Sequence, residues 1–389
     1  MPAFVIGYYN NLSEQKIKLL PELFYFSFME ILQIIFLAIA VILTVLNLFI
    51  FIGLSRKRKH SQKNNKEILF SIIIAAKNEA DNLAKLMNAL KRIEYSYLNY
   101  EIIIVDDNSS DDTLKIAANY ESDFPNYKVY TLKEKSLPGK KGALDFGVSK
   151  AKYPYIMITD ADCEPQNNWL KSYAEKFNEG YDFLFGAAPF YERNKLVNKI
   201  SCFENLRSSL LTFSSANIGV PFSAAARNFG FKKSSFEKIS GYKNTIETIS
   251  GDDDLLLREA IKNKMKVGTV KEKNSSVYSY TKLSFKSYFN QRARHTKTSF
   301  FYSPSRQIGL GIWHTVNLLC LCSLILAVIS PVFFIPFLLK LFFDLALVVV
   351  YQETFGYHFK PVSIFFLQII YEIFLLINFA GAIFKKDKW

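Results

Sequence analysis

Cysteine is scarce in this chain. Four occur among 389 residues, Cys163, Cys202, Cys320 and Cys322. They do not form the paired spacing of a zinc site, so neither a cysteine-built metal centre nor a disulfide framework is expected. No segment repeats, and no stretch is of low complexity apart from one basic cluster. The net charge is +13, yet no nucleic-acid motif accompanies it, so nucleic acid is not an expected partner. A cleaved signal peptide is not expected either. The first apolar block is too long for one, no basic stretch precedes it, and no small-residue cleavage site follows it.

Apolar residues are abundant: half the chain is hydrophobic and 16% is aromatic. They are unevenly spread. Phe28–Gly53 is almost wholly apolar, with Glu30 near one edge. Ile308–Ile329, Pro331–Tyr351 and Pro361–Phe384 repeat the pattern. A bilayer core takes about 20 apolar residues per helix, so one transmembrane helix is expected before the middle of the chain and about three after it. "SRKRKHSQKNNK" follows the first block directly. The positive-inside rule holds that end in the cytoplasm, and the excess basic charge suits an anionic membrane surface. With one crossing before and three after, both termini would lie outside. The terminal "KKDKW" prefers the cytoplasm, and the two expectations conflict.

The middle reads as alternating strands and helices. Ile68 to Ala75 is a β-rich run, followed by a polar turn and by helical spacing through Leu83, Leu86 and Leu90. Ile102 to Val105, a polar turn and a further helix repeat the plan, with Asp111 or a neighbour able to cap that helix. "YKVYTL" is a third strand and "PYIMITDADCEP" a fourth, with "NNWLKSYAEKFN" as a helix after it. Continuous apolar strands alternating with helices imply a mostly parallel sheet covered on both faces. Ligands bind such sheets beyond the carboxyl ends of the strands. The acidic turns "AKNE", "DDNSSDD" and "DAD" all fall there.

Each turn alone has an ordinary reading. Two aspartates one residue apart make a common surface turn, or they hold a hard divalent cation such as Mg²⁺ or Mn²⁺, which takes a few carboxylates plus phosphate oxygens. The lysine pair of "LPGKKGALDFG" is suited to approaching phosphate. "GDDDLLL" is either an acidic first helical turn stabilised by the dipole or a source of a general base.

In order, "SIIIAAKNEADNL", "VDDNSSDDT", "GKKGALDFG", "TDADCEP", "AARNFGFKKSSFEKISGY", "SGDDDLLLREA" and "QRARH" resemble the membrane-bound family-2 glycosyltransferases of the GT-A fold. They span residues 71–295. The resemblance implies transfer of a sugar from a nucleotide diphosphate sugar, usually UDP-linked, with Mg²⁺ or Mn²⁺ and with inversion. It implies that Ala75, Lys77 and Glu79 line the nucleoside pocket, that Asp107 faces the base with Asp106 beside it, and that Lys140 lies near the nucleotide or its diphosphate. Asp160 and Asp162 would form the metal motif, Asp162 being the direct ligand. Asp253 would fall on the catalytic base and Asp252 on its acidic neighbour. Gln291, Arg292, Arg294 and His295 would serve the acceptor and diphosphate. The family's usual form there is Gln-x-x-Arg-Trp, so His295 makes a smaller, titratable platform and argues against a processive polysaccharide synthase.

The expected organisation is an N-terminal segment (1–27), a transmembrane helix (28–53), a basic linker (54–66) and a GT-A domain (67–280). An amphipathic interfacial segment (281–305), about three transmembrane helices (306–384) and a basic tail (385–389) follow. The expected function is transfer of sugar to a lipid or lipid-linked acceptor by an integral protein of the bacterial inner membrane with its catalytic domain in the cytoplasm. A processive synthase and a non-catalytic assembly partner are the alternatives.

Overall fold

The computed structural model describes residues 2–56 and 66–384, without the side chains of residues 2–26. The core of the basic cluster, 57–65, and the basic tail lie outside the described residues. The chain divides into two units, one of 1–48 with 311–344 and one of 49–310 with 345–389.

The second unit contains the sheets. Its strands are β1 (Phe70–Ala76), β2 (Tyr100–Asp106), β3 (Tyr127–Thr131), β4 (Tyr155–Asp160), β5 (Cys163–Pro165), β6 (Phe183–Gly186), β7 (Phe229–Lys232), β8 (Val267–Val270) and β9 (Val277–Ser279). Seven form one sheet in the order β3-β2-β1-β4-β7-β6-β8, and β5 pairs with β9 in a ribbon. Only β7 runs against its neighbours within the large sheet. Ile72, Ile73 and Ile74 of β1 and Ile102, Ile103 and Ile104 of β2 are fully buried. Helices cover both faces, so both sides of these strands are apolar, as in a Rossmann-like parallel sheet. Leu83, Leu86 and Leu90 of helix Ala80–Lys91 are buried in the same core.

Register brings the acidic turns level. Ala76 of β1 stands beside Asp106 of β2, and Ala75 beside Asp160 of β4. The carboxyl ends of three adjacent strands therefore open on one rim.

Among the described residues, four helices are long and apolar enough to cross a membrane: Ser27–Ser55, Pro304–Leu326, Pro331–Phe355 and Pro361–Phe384. The first is part of one continuous helix, Pro2–Ser55. In the first unit Phe36, Ala327 and Phe333 form one buried cluster, and Leu43, Val316 and Cys320 another. Lys340 and Asp344, buried within an apolar helix, pair with each other at 2.7 Å, since a lone charge there would be costly. In the second unit, helix Leu196–Asn217 takes the end of the first apolar helix: Asn217 Nδ2 donates to Gly53 O at 3.0 Å and Ser214 Oγ to Ile50 O at 3.2 Å.

Candidate active site

The first two acidic turns are fastened to each other. Asn78, at φ +57°, donates its N–H to Ser109 Oγ and accepts the Ser110 N–H at Oδ1. The Glu79 N–H donates to Thr113 Oγ1 at 2.7 Å. Asp111 Oδ1 accepts the Thr113 N–H at the start of helix Thr113–Ala118, whose N-cap residue, Asp112, makes no side-chain cap bond. This holds the loops after β1 and β2 as one rigid lip.

Inside that lip lie Asp106 and Asp107, both buried. Asp107 Oδ2 accepts Lys135 Nζ at 2.8 Å. The Oδ1 atoms of both aspartates have no hydrogen-bond partner. A buried carboxylate oxygen left unpaired is costly, so these atoms are acceptors that suit a polar ligand. Ala75 and Glu79 are half-buried at the same edge, and Lys77 is exposed. Burial raises the Glu79 carboxyl above its ordinary value, as do the charges of Asp162 and Asp160. Glu79 thus shares a cleft with the β4 turn.

At that turn the carboxylates of Asp160 and Asp162 and the Cys163 sulfur all lie within 4.8 Å of one another. Burial and the Asp160 charge push Asp162 up, which is the repulsion a cation would remove. Burial pushes the Cys163 thiol far above its ordinary value. It remains protonated and donates to Asp162 Oδ1 at 3.5 Å. Two hard oxygens beside a protonated thiol fit Mg²⁺ or Mn²⁺ better than a thiolate-seeking metal.

The lysine pair divides. Lys140 opens helix Lys140–Lys150 after Gly139, whose φ of +65° suits glycine. Its Nζ bonds Asp160 Oδ1 and also Asp252 Oδ2, the latter at 3.0 Å. Burial works against this charge, but the two carboxylates outweigh it and keep Lys140 protonated. Lys141 turns inward and is fully buried. It donates to the carbonyls of Thr245 and Thr248, fixing the loop that leads to "GDDDLLL" rather than meeting a ligand.

The three consecutive aspartates have three environments. Gly251 at φ +82° sends the chain into the turn, where a Cβ would approach Thr298 Cγ2 to 2.7 Å. Asp252 faces Lys140; burial opposes its charge, but Lys140 holds its carboxyl below the usual range. Asp253 accepts the Asp254 N–H at Oδ1 (2.7 Å) and the Ala226 N–H at Oδ2 (2.8 Å). Burial and the charges of Asp254 and Asp252 raise it well above 3.8. Asp254 is a fastener: Ser223 Oγ, the Ala224 N–H and Tyr302 Oη all donate to it.

Helix Phe285–Thr298 carries the last group. Gln291, Arg292 and Arg294 are half-buried and His295 is exposed. His295 lies within electrostatic reach of Asp252 and of Arg292, Arg294 and Arg227. Arg292 is engaged elsewhere: its guanidinium pairs with buried Glu204 at 2.8 Å, and Tyr288 Oη donates to the same carboxylate. The chain therefore brings Asp106, Asp107, Glu79, Lys140, Asp160, Asp162 and Asp252 to one rim, while Arg292 faces the protein.

Lys135 and Arg227 were not singled out from the sequence. Arg227 lies over the Phe190 ring at 4.3 Å and within electrostatic reach of Asp162. Its signal was available in "AARNFGF", whose lone arginine was given no role.

The family model described as glycosyl transferase family 2 matches residues 71–240, the segment that contains the lip, the β4 turn and Lys140. Residues 71–240 form a glycosyl transferase family 2 domain. The chain is 30% identical over 121 residues to glycosyltransferase AglE of Haloferax volcanii, covering 31% of this chain and 39% of that protein. It is 32% identical over 140 residues to a beta-monoglucosyldiacylglycerol synthase of Trichormus variabilis, covering 36% of this chain and 27% of that one. The matches thus span less than half the length of these curated relatives. Among solved structures, the mannosyltransferase PcManGT of Pyrobaculum calidifontis, in complex with GDP-Man and Mn²⁺, has a TM-score of 0.57 at 13% identity, over 90% of this chain and 99% of that one. That likeness establishes the GT-A fold.

Proposed function

We propose that the chain is a membrane-bound glycosyltransferase that moves a sugar from a nucleotide diphosphate sugar, UDP-linked, to a lipid or lipid-linked acceptor with inversion. The observation that carries this reading is Lys140 held between Asp160 and Asp252. One cation links the motif expected to hold a metal and diphosphate with a carboxylate suited to base catalysis. The four apolar helices and the glucosyldiacylglycerol synthase relative support a membrane setting and a lipid acceptor.

The unpaired oxygens of Asp106 and Asp107 take N–H donors of the base, and Lys135 holds the other oxygen of Asp107. Asp160 and Asp162 would hold Mg²⁺ or Mn²⁺, which would offset the diphosphate's negative charge. Lys140 moves its bonds to the diphosphate when the donor binds, and Asp252 is released as a free carboxylate. Asp252 then removes the proton of the acceptor hydroxyl as its oxygen bonds to the anomeric carbon. The bond to the diphosphate breaks on the opposite face, and the proton remains on Asp252. Asp253, the base by sequence position, accepts one backbone N–H at each oxygen, and we assign it to shaping the turn. Arg294 and His295 attend the acceptor side.

Membranes containing the protein, incubated with radiolabelled nucleotide sugars and extracted with organic solvent, test this reading. Label from one donor should enter the lipid phase. Label recovered only in a water-soluble, high-molecular-weight polymer would refute it.

A further inference from the structure

Helix Pro361–Phe384 has the length and apolarity to cross a bilayer, but its contacts are those of a helix lying on the catalytic unit. It belongs to the same unit as the sheets. Just before it, the Phe190 N–H donates to Tyr357 Oη at 2.9 Å, Tyr357 Oη donates to Asn205 Oδ1 at 2.7 Å, and the His358 N–H donates to Glu192 Oε1 at 2.8 Å. Its start is therefore fixed to the catalytic side.

Its second half is fixed there too. The Phe374 ring packs 6.0 Å from Phe285 and 5.1 Å from Phe289. Asn378 Nδ2 donates to Tyr288 Oη at 3.5 Å, and Phe379 meets Phe300 edge-on at 5.7 Å. A Cβ on Gly381 would lie 3.5 Å from the Ala293 Cβ. All these partners belong to helix Phe285–Thr298 or follow it directly. That helix carries Lys286, Arg292, Arg294 and Lys297 within 14 residues, too much charge for the hydrocarbon core. What lies alongside it, residues 371 to 381, is therefore at the membrane surface. Residues 361–370 remain, roughly 15 Å of helix, against a core of about 30 Å.

The two faces agree. Gln368, Tyr371, Glu372 and Asn378 are buried, with Arg207 over the Tyr371 ring. On the opposite face Val362, Phe366, Ile373, Leu376, Ile377 and Ile383 are exposed. Their spacing makes one apolar stripe.

Resting on the membrane reading above, we propose that helix Pro361–Phe384 lies in the plane of the cytoplasmic leaflet and does not cross. Its apolar stripe enters the acyl chains, and its polar face holds helix Phe285–Thr298, with Arg294 and His295, at the depth where a lipid hydroxyl emerges. The chain then crosses three times, and "KKDKW" stays in the cytoplasm, which removes the conflict between the two basic ends.

Single cysteines at Val362, Phe366, Ile373, Ile377 and Ile383, introduced one at a time into the full chain with exposed Cys322 changed to serine, are spin-labelled in phosphatidylethanolamine–phosphatidylglycerol vesicles. All five labels are expected at one depth, about 5–10 Å below the headgroups. A depth profile reaching about 15 Å near Ile373 and shallow at both ends would overturn the proposal. So would dipolar coupling between copies, which would mean that a second chain covers the stripe. Lys388→Cys should react with an impermeant maleimide only from the cytoplasmic face. Recovery of the unlabelled protein in the soluble fraction would instead overturn the membrane reading itself.

Discussion

Replacing Asp252 with asparagine is expected to remove turnover without weakening UDP binding, because Lys140 gives up its bond to Asp252 when the donor binds and Asp160 and Asp162 are left intact. General-base catalysis contributes about 10²–10⁴-fold, so kcat should fall by at least about a hundredfold. Asp253→Asn should behave differently. The Asp253 oxygens each accept one backbone N–H, from Asp254 and from Ala226. Asparagine keeps one acceptor and sets an amide N–H against the other donor. A mismatch of that kind costs about 1–3 kcal/mol, and it falls on the folded state rather than on the barrier. The melting temperature should drop by several degrees, at roughly 2–4 °C per kcal/mol, while kcat changes less than about tenfold. Single-turnover rates with a labelled donor, together with thermal unfolding of both variants, separate the two. A hundredfold loss in Asp253→Asn at unchanged melting temperature, with Asp252→Asn active, would refute the assignment.

Asp162→Asn should weaken UDP and Mn²⁺ binding together by calorimetry, since the ion links that carboxylate to the diphosphate; UDP binding with unchanged metal dependence would return the turn to an ordinary strand end. His295→Trp should leave donor hydrolysis largely intact and alter transfer, measured as the ratio of lipid-linked to free sugar. Asp182 offers a pH test away from the site. Burial opposes its charge, but the Lys266 N–H, Lys232 and Ser235 hold its carboxyl below 3.8. A depressed pKa adds stability above the unfolded value of about 3.9, and this is lost as pH falls through the lower folded value. Asp182→Asn should therefore destabilise by about 1–3 kcal/mol at pH 7 and much less near pH 2, read by denaturant unfolding at both.

The first four strands of the large sheet were legible because buried parallel strands are uninterrupted apolar runs. The Ile68–Ala75 run read from the sequence lies within two residues of Phe70–Ala76. β6, β7 and β8 were not, since four residues each give too short a signal, and nothing local marks β7 as antiparallel. The carboxylates of the site were legible as turns after strands. Their partners were not: Lys135 meets Asp107 across 28 positions, and Lys140 meets Asp252 across 112. The same limit hid the inward turn of Lys141, whose neighbour in sequence faces the cleft.

The most direct test uses the purified protein in vesicles with one labelled UDP-sugar, Mn²⁺ and a lipid extract. The account predicts label in the organic phase as a single glycolipid, dependent on the metal and absent with Asp252→Asn. Equal transfer by Asp252→Asn, or no transfer to any lipid by the parent protein with any nucleotide sugar, would contradict it.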